Sequence, residues 1–209
     1  MVNINMQKDF ELQSESKDIV LVNNIDFKIV KEIDKALNGE LINNSTEPFT
    51  TVHTLGKLSM RRIHVVNNDD LKKTSKREEI FNKIANLKGD ILIAIDTFEN
   101  DDYLNNIQNL AEVIMTKNYT FDKFKSESTD VSKNFYYYGD DKVNKNINKG
   151  YILGEAINDC RDLVNTPYNY LNANDLAVYA KQLEKITNVS VDIFDKKQIE
   201  DMKMGAFLG

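Results

Sequence analysis

Two histidines, His53 and His64, are the only imidazoles in the chain, and they are the first residues to ask for a metal ligand or a catalytic base. Both fall in a segment that reads as two strands, Phe49 to Leu55 and Ser59 to Val66, joined across Gly56-Lys57. A two-residue turn there sets His53 opposite Met60 and leaves His64 four positions further along, roughly 13 Å away at 3.4 Å per residue. The expectation is two half-exposed strand histidines without a common ion. Cys160, the single cysteine, falls among apolar residues spaced three and four apart with no histidine nearby, and reads as a small buried hydrophobe. The acidic pairs Asp69-Asp70, Glu78-Glu79 and Asp101-Asp102 carry no ligand spacing such as His-x-Glu or Asp-x-Asp and read as caps and solvated faces.

Arg61, Arg62, Lys72, Lys73, Lys76 and Arg77 form the one basic cluster, which could touch phosphates. It lacks interleaved aromatics, and the chain carries a formal net charge of −6, so a solvent-facing surface is expected rather than nucleic acid. Gly150 and Gly154 are the nearest glycine pair, but they sit inside an apolar helical pattern and not in a strand-to-helix turn, so no phosphate cradle is read. No residue is assigned a catalytic, cofactor-binding or metal-binding role.

The elements that would have to hold such groups in place alternate between strand and helix. Asp18-Ile-Val-Leu-Val-Asn-Asn24 and Asp90-Ile-Leu-Ile-Ala-Ile-Asp96 read as strands buried on both faces. A helix follows Asp26, which can cap it, with Phe27, Val30, Ile33 and Leu37 on one face and Gly39 as a left-handed stop. Further helices are expected from Thr74 or Ser75 to Leu87 and from about Asp101 to Lys117, and shorter strands at Phe121 to Phe124 and Asn134 to Tyr138. The fold class is α/β: a mixed sheet flanked by helices over residues 1–140. The polar stretch from Gly139 to Asn146 reads as a boundary, and a connecting helix over 141–166 then carries Leu153, Ala156, Ile157, Cys160, Leu163 and Val164 as its stripe until Pro167 stops it.

Residues 167–209 hold a helix capped by Asn172 or Asn174, an alternating strand Val189 to Phe194, a short helix from Lys196 and an apolar extended end, Met204-Gly-Ala-Phe-Leu-Gly209. One strand cannot form a sheet with covered faces, so an incomplete second α/β domain is expected. The chain is 41% apolar and 29% charged, and its apolar runs fall short of the roughly 20 residues of a membrane span. With no apolar leader and one cysteine, a cytoplasmic location without membrane contact is expected.

The stretch Gly154-Glu-Ala-Ile-Asn-Asp-Cys-Arg161-Asp-Leu-Val-Asn165-Thr-Pro167-Tyr-Asn169-Tyr-Leu resembles the interdomain segment of the leucyl aminopeptidase, or cytosol aminopeptidase, family. Cys160 stands where alanine is usual, and Asn172-Ala173 where a Thr-Pro pair commonly follows. The Val189 to Phe194 segment and the Met204-Gly ending extend the likeness to about 60 residues. The resemblance implies a macro-domain-like N-terminal domain, a long connecting helix and the start of a catalytic domain in a hexameric exopeptidase acting on peptides. It also implies two divalent ions, zinc, manganese or magnesium, whose ligands lie C-terminal to the Met-Gly motif, so that residues 1–209 are inert alone and serve assembly. Two other readings are a free-standing macro-like module for ADP-ribose and a DNA-binding accessory domain resting on the Arg61 to Arg77 cluster.

Overall fold

In the computed structural model, residues 2–7, 11–12, 14–43, 46–98, 102–126, 133–138 and 140–208 are described. The two β-branched runs form the middle of a six-stranded sheet. Strand β2 (Asp18–Val22) has all five residues buried, and β5 (Asp90–Ile93) buries Ile91, Leu92 and Ile93. With β1 (Val2–Met6), β3 (Phe49–His53), β4 (Arg62–Val66) and β6 (Lys133–Tyr137), the order is β1-β6-β5-β2-β4-β3. Only the β3–β4 pair is antiparallel. This is the expected mixed sheet.

Alternation along β2 and β5 divides the core. Val20, Val22, Ile91 and Ile93 pack with α4 (Thr74–Ala85) and α5 (Tyr103–Lys117) through Phe81, Ile84, Leu110 and Ile114. Ile19, Leu21 and Leu92 face the other way, onto Val30, Ile33 and Leu37 of the α1 region (α1, Lys28–Ala36) and Leu41 of α2 (Glu40–Asn43). A four-residue helix α3 (Asn68–Leu71), capped by the Asn67 side chain, precedes α4.

The end of α1 differs from the sequence reading. Asp26 does not cap it; Phe27 is the N-cap, with no side-chain bond. At the other end Asn38 takes the left-handed position (φ 60°) ahead of Gly39 (φ 81°), and the bonds Asn38 N–H to Lys35 and Gly39 N–H to Asp34 close the helix. Thr74 likewise opens α4 as its first residue and does not cap it.

The hairpin is slipped by two residues from the expected register. His53 pairs with Arg62 and Thr51 with His64, because Met60 is wholly buried and draws the connection inward. Thr54 fixes that connection: its hydroxyl donates to the Met60 carbonyl at 2.6 Å and its N–H to Arg61 at 3.1 Å. Leu55 (φ 52°) and Gly56 (φ 83°) form the turn, closed by Lys57 N–H to the Thr54 carbonyl. Positive φ at both central positions makes it a type I′ turn.

Helix α6 (Asp141–Asn165) begins inside the stretch read as a boundary. Its covered line is Val143, Ile147, Gly150 and Gly154, not the longer apolar stripe. The glycines explain the choice. A Cβ on Gly150 would lie 2.0 Å from the Gln108 carbonyl oxygen, and one on Gly154 2.4 Å from Met115 Cβ, so α5 and α6 touch backbone to side chain along this seam. Leu153, Ile157 and Val164 remain exposed. The residues at Phe121 to Phe124 form a turn rather than a strand, and β1 was not legible in its polar sequence Val-Asn-Ile-Asn-Met.

The chain divides into two compact units, Met1–Cys160 and Arg161–Gly209. In the second, Asn172 and Asp175 form a reciprocal capping box at the start of α7 (Ala173–Gln182), and Asp195 and Gln198 do so for α8 (Lys196–Asp201). Val189 to Phe194 runs without a strand partner and is not a β-strand, and Gly205–Phe207 is a 3-10 turn instead of extended chain. None of the α7 or α8 side chains is buried.

Candidate functional site

Because only α1 and α2 cover the second sheet face, the strands beyond β2 leave open space beside α1. A groove runs there, lined by Leu12, Ile29, Lys35, Leu58, Asp96 and Tyr138, with Lys28 and Glu32 on its rim. Asp96 enters from the 3-10 turn that follows β5, and Tyr138 directly follows β6, so parallel pairing brings the two strand ends together. The Tyr138 hydroxyl donates to Asp96 Oδ1 at 2.9 Å. Burial first, then the Asp96 carboxylate, holds the phenol well above its ordinary pKa. Tyr138 is therefore a fixed donor and no acid near neutrality. Nearby, Lys17 stacks over the Tyr136 ring at 4.7 Å and pairs with the buried Glu15 at 3.1 Å. The groove can hold a polar ligand by hydrogen bonds, but it brings together no nucleophile and base.

The histidines are unlike each other, and the expectation that both are half-exposed fails. His53 is exposed, whereas His64 is 2% exposed. His64 Nδ1 lies 2.9 Å from Thr51 Oγ1 and its ring stacks on Phe49 at 5.7 Å, while Nε2 is buried without a partner among the described residues. Desolvation, only partly offset by Asp18, lowers its pKa to about 4, so the ring is neutral. The two-residue slip puts His53 two positions from His64 along the same face rather than four. Among the described residues no group of three or more His, Cys, Asp or Glu could hold a metal ion.

Cys160 is exposed, contrary to its reading as a buried hydrophobe, since the α6 stripe it belongs to lies open. The basic cluster is spent on carboxylates. Arg62 donates through Nε to Asp18 at 2.6 Å, Lys72 pairs with Asp69, Lys73 with Asp70 and Lys76 with Glu79. The acidic pairs thus neutralise the lysines that follow them. Gly150 and Gly154 serve helix packing. Among the described residues no helix is long and apolar enough to cross a membrane. The Asp96–Tyr138 pair escaped the sequence reading: residues 42 apart join only through strand order, and neither belongs to a local motif.

Comparison with known proteins places this architecture. Residues 158–209 match the model of the cytosol aminopeptidase family, catalytic domain. A probable cytosol aminopeptidase of Sulfurihydrogenibium sp. is 33% identical over 202 residues, covering 86% of this chain and 40% of that protein. One from Fusobacterium nucleatum is 37% identical over 132 residues, covering 63% and 27% respectively. The solved structure of a tomato leucine aminopeptidase mutant superposes with a TM-score of 0.71 at 19% identity, covering all of this chain and 47% of the other. The chain thus spans two fifths or less of the length of these curated relatives.

Proposed function

The chain is a member of the cytosol aminopeptidase family in sequence and fold, and we propose that it supplies the N-terminal, scaffolding portion of a dimetal exopeptidase that removes N-terminal residues from peptides. The observation that carries this reading is the continuity of the likeness: one relative aligns along 86% of the chain, and the catalytic-domain match begins at residue 158, within α6. On this reading residues 1–140 form the N-terminal domain, 141–166 the connecting helix and 167–209 the start of the catalytic domain.

The family's two ions, zinc, manganese or magnesium, call for a cluster of carboxylates, and the described residues do not fit it. No step of the reaction is therefore routed through this segment. Its ligands come, on this reading, from the part of the relatives' length that these 209 residues do not span. The exposed apolar side chains from Ile152 to Leu208, among them Val164, Val178, Phe194 and Phe207, support the same view, since a surface of this kind is normally covered by further structure. Assembly into a hexamer and a cytoplasmic location belong to this proposal.

The test is direct. Release of leucine from a leucyl anilide is measured, with each of the three metals added, for the 209-residue chain and for a chain extended to the relatives' full length. Turnover by the long chain alone is expected; metal-dependent turnover by the short one overturns the proposal.

A further inference from the structure

We propose that β3 is a self-pairing edge, through which two copies of this chain join their sheets in antiparallel register about Thr51. The sheet ends at β3, so one side of this strand has no partner among the described residues. Which groups it offers follows from the hydrogen bonds at its two ends. Thr54 N–H reaches the Arg61 carbonyl and Asn67 N–H reaches the Pro48 carbonyl, so the even-numbered residues from 48 to 54 bond to β4. In an antiparallel ladder the alternate residues then point their N–H and C=O outward, here Phe49, Thr51 and His53.

Exposed edges are ordinarily blunted by a charge, a proline or a bulge. The sequence Phe-Thr-Thr-Val-His between 49 and 53 has no Lys, Arg, Asp, Glu or Pro, and it pairs with β4 residue for residue without a bulge. Beyond it stands Leu55, 86% exposed and held at φ 52°. A type I′ turn favours Asn or Asp there, and a leucine in left-handed backbone costs about 1–2 kcal/mol. Within this chain nothing offsets that cost, since the side chain lies in solvent. A strained apolar side chain displayed at the end of an open edge is what a contact with another chain would select.

The occupant is a second copy because the pattern is its own complement. Pairing about Thr51 sets Thr51 against Thr51, Phe49 against His53 and His53 against Phe49, and every outward residue meets an outward residue. Threonine pairs and aromatic pairs are favourable cross-strand neighbours. Leu55 falls at the level of Glu47 and Pro48 of the second copy, where it can cover the proline ring. The arrangement is an isologous two-fold contact of small area, hence a weak one.

The test is a crosslink. Directly paired Thr51 residues lie about 5.5 Å apart at Cα, within disulfide reach. In a Cys160→Ser background, which removes the native exposed thiol, Thr51→Cys is expected to give an oxidised dimer. Thr50→Cys, whose two copies sit diagonally and beyond about 7 Å, is expected to give little. His53→Pro, which deletes only an outward N–H, should cut the Thr51→Cys yield about tenfold. Leu55→Asn should cut it as well while raising the thermal midpoint, so that loss of crosslinking is not loss of fold. Equal yields from positions 50 and 51, or a Thr51→Cys yield insensitive to His53→Pro, overturn the proposal. So does protection of the edge by an added extended peptide with no dimer present. None of these outcomes depends on peptidase activity.

Discussion

Gly150 and Gly154 show how much one missing methyl group can decide. Each lies against α5 closer than any Cβ could, and at Gly150 the obstacle is a backbone oxygen that cannot rotate away. Gly150→Ala should therefore destabilise the first unit by about 1–3 kcal/mol, read as a lower urea midpoint, and Gly154→Ala by less because Met115 can yield. His64 sets a pH dependence. Its folded pKa of about 4 lies below the unfolded value of 6.5, so protons favour the unfolded chain. Stability is full above pH 6.5 and falls as the pH drops from there towards 4. Between pH 7 and 5 the loss from this ring is about 2 kcal/mol. Urea titrations of His64→Gln should show a flatter profile over that interval; an identical slope would remove the ring from the account.

At the scale of elements, the joint between β2 and β5 depends on one hydroxyl. Thr97 accepts the Val22 N–H at 2.9 Å and donates to the Ala94 carbonyl at 2.6 Å, both buried, which fixes the 3-10 turn carrying Asp96. Thr97→Val keeps the shape and orphans both groups, so a loss of about 1–3 kcal/mol in denaturant unfolding is expected. Elements with a strong local signature were legible: the buried runs of β2 and β5, the 3.6-residue pattern of α5 and the Asn172 cap of α7 all stand where the residues point. Those set by tertiary context were not. Polar β1 is a strand because β6 lies beside it, the hairpin register follows the burial of Met60, and Val189 to Phe194 has strand residues but no neighbour to pair with. The candidate groove was invisible for the same reason, since Asp96 and Tyr138 meet only once the strand order is known.

For the whole molecule the two units carry different signatures. The first buries a core on both sheet faces, while the second has caps and helices but no buried side chain. A reading in which residues 167–209 open a larger catalytic domain accounts for that contrast and for the family match over 158–209. Its central claim is that the chemistry resides outside these 209 residues. The most direct measurement is metal-dependent release of an N-terminal residue from a leucyl substrate by the purified 209-residue chain, beside the chain extended to the relatives' length. The account predicts turnover that needs added zinc, manganese or magnesium in the extended chain and none above the buffer rate in the shorter one; turnover by the shorter chain that a chelator abolishes would contradict it.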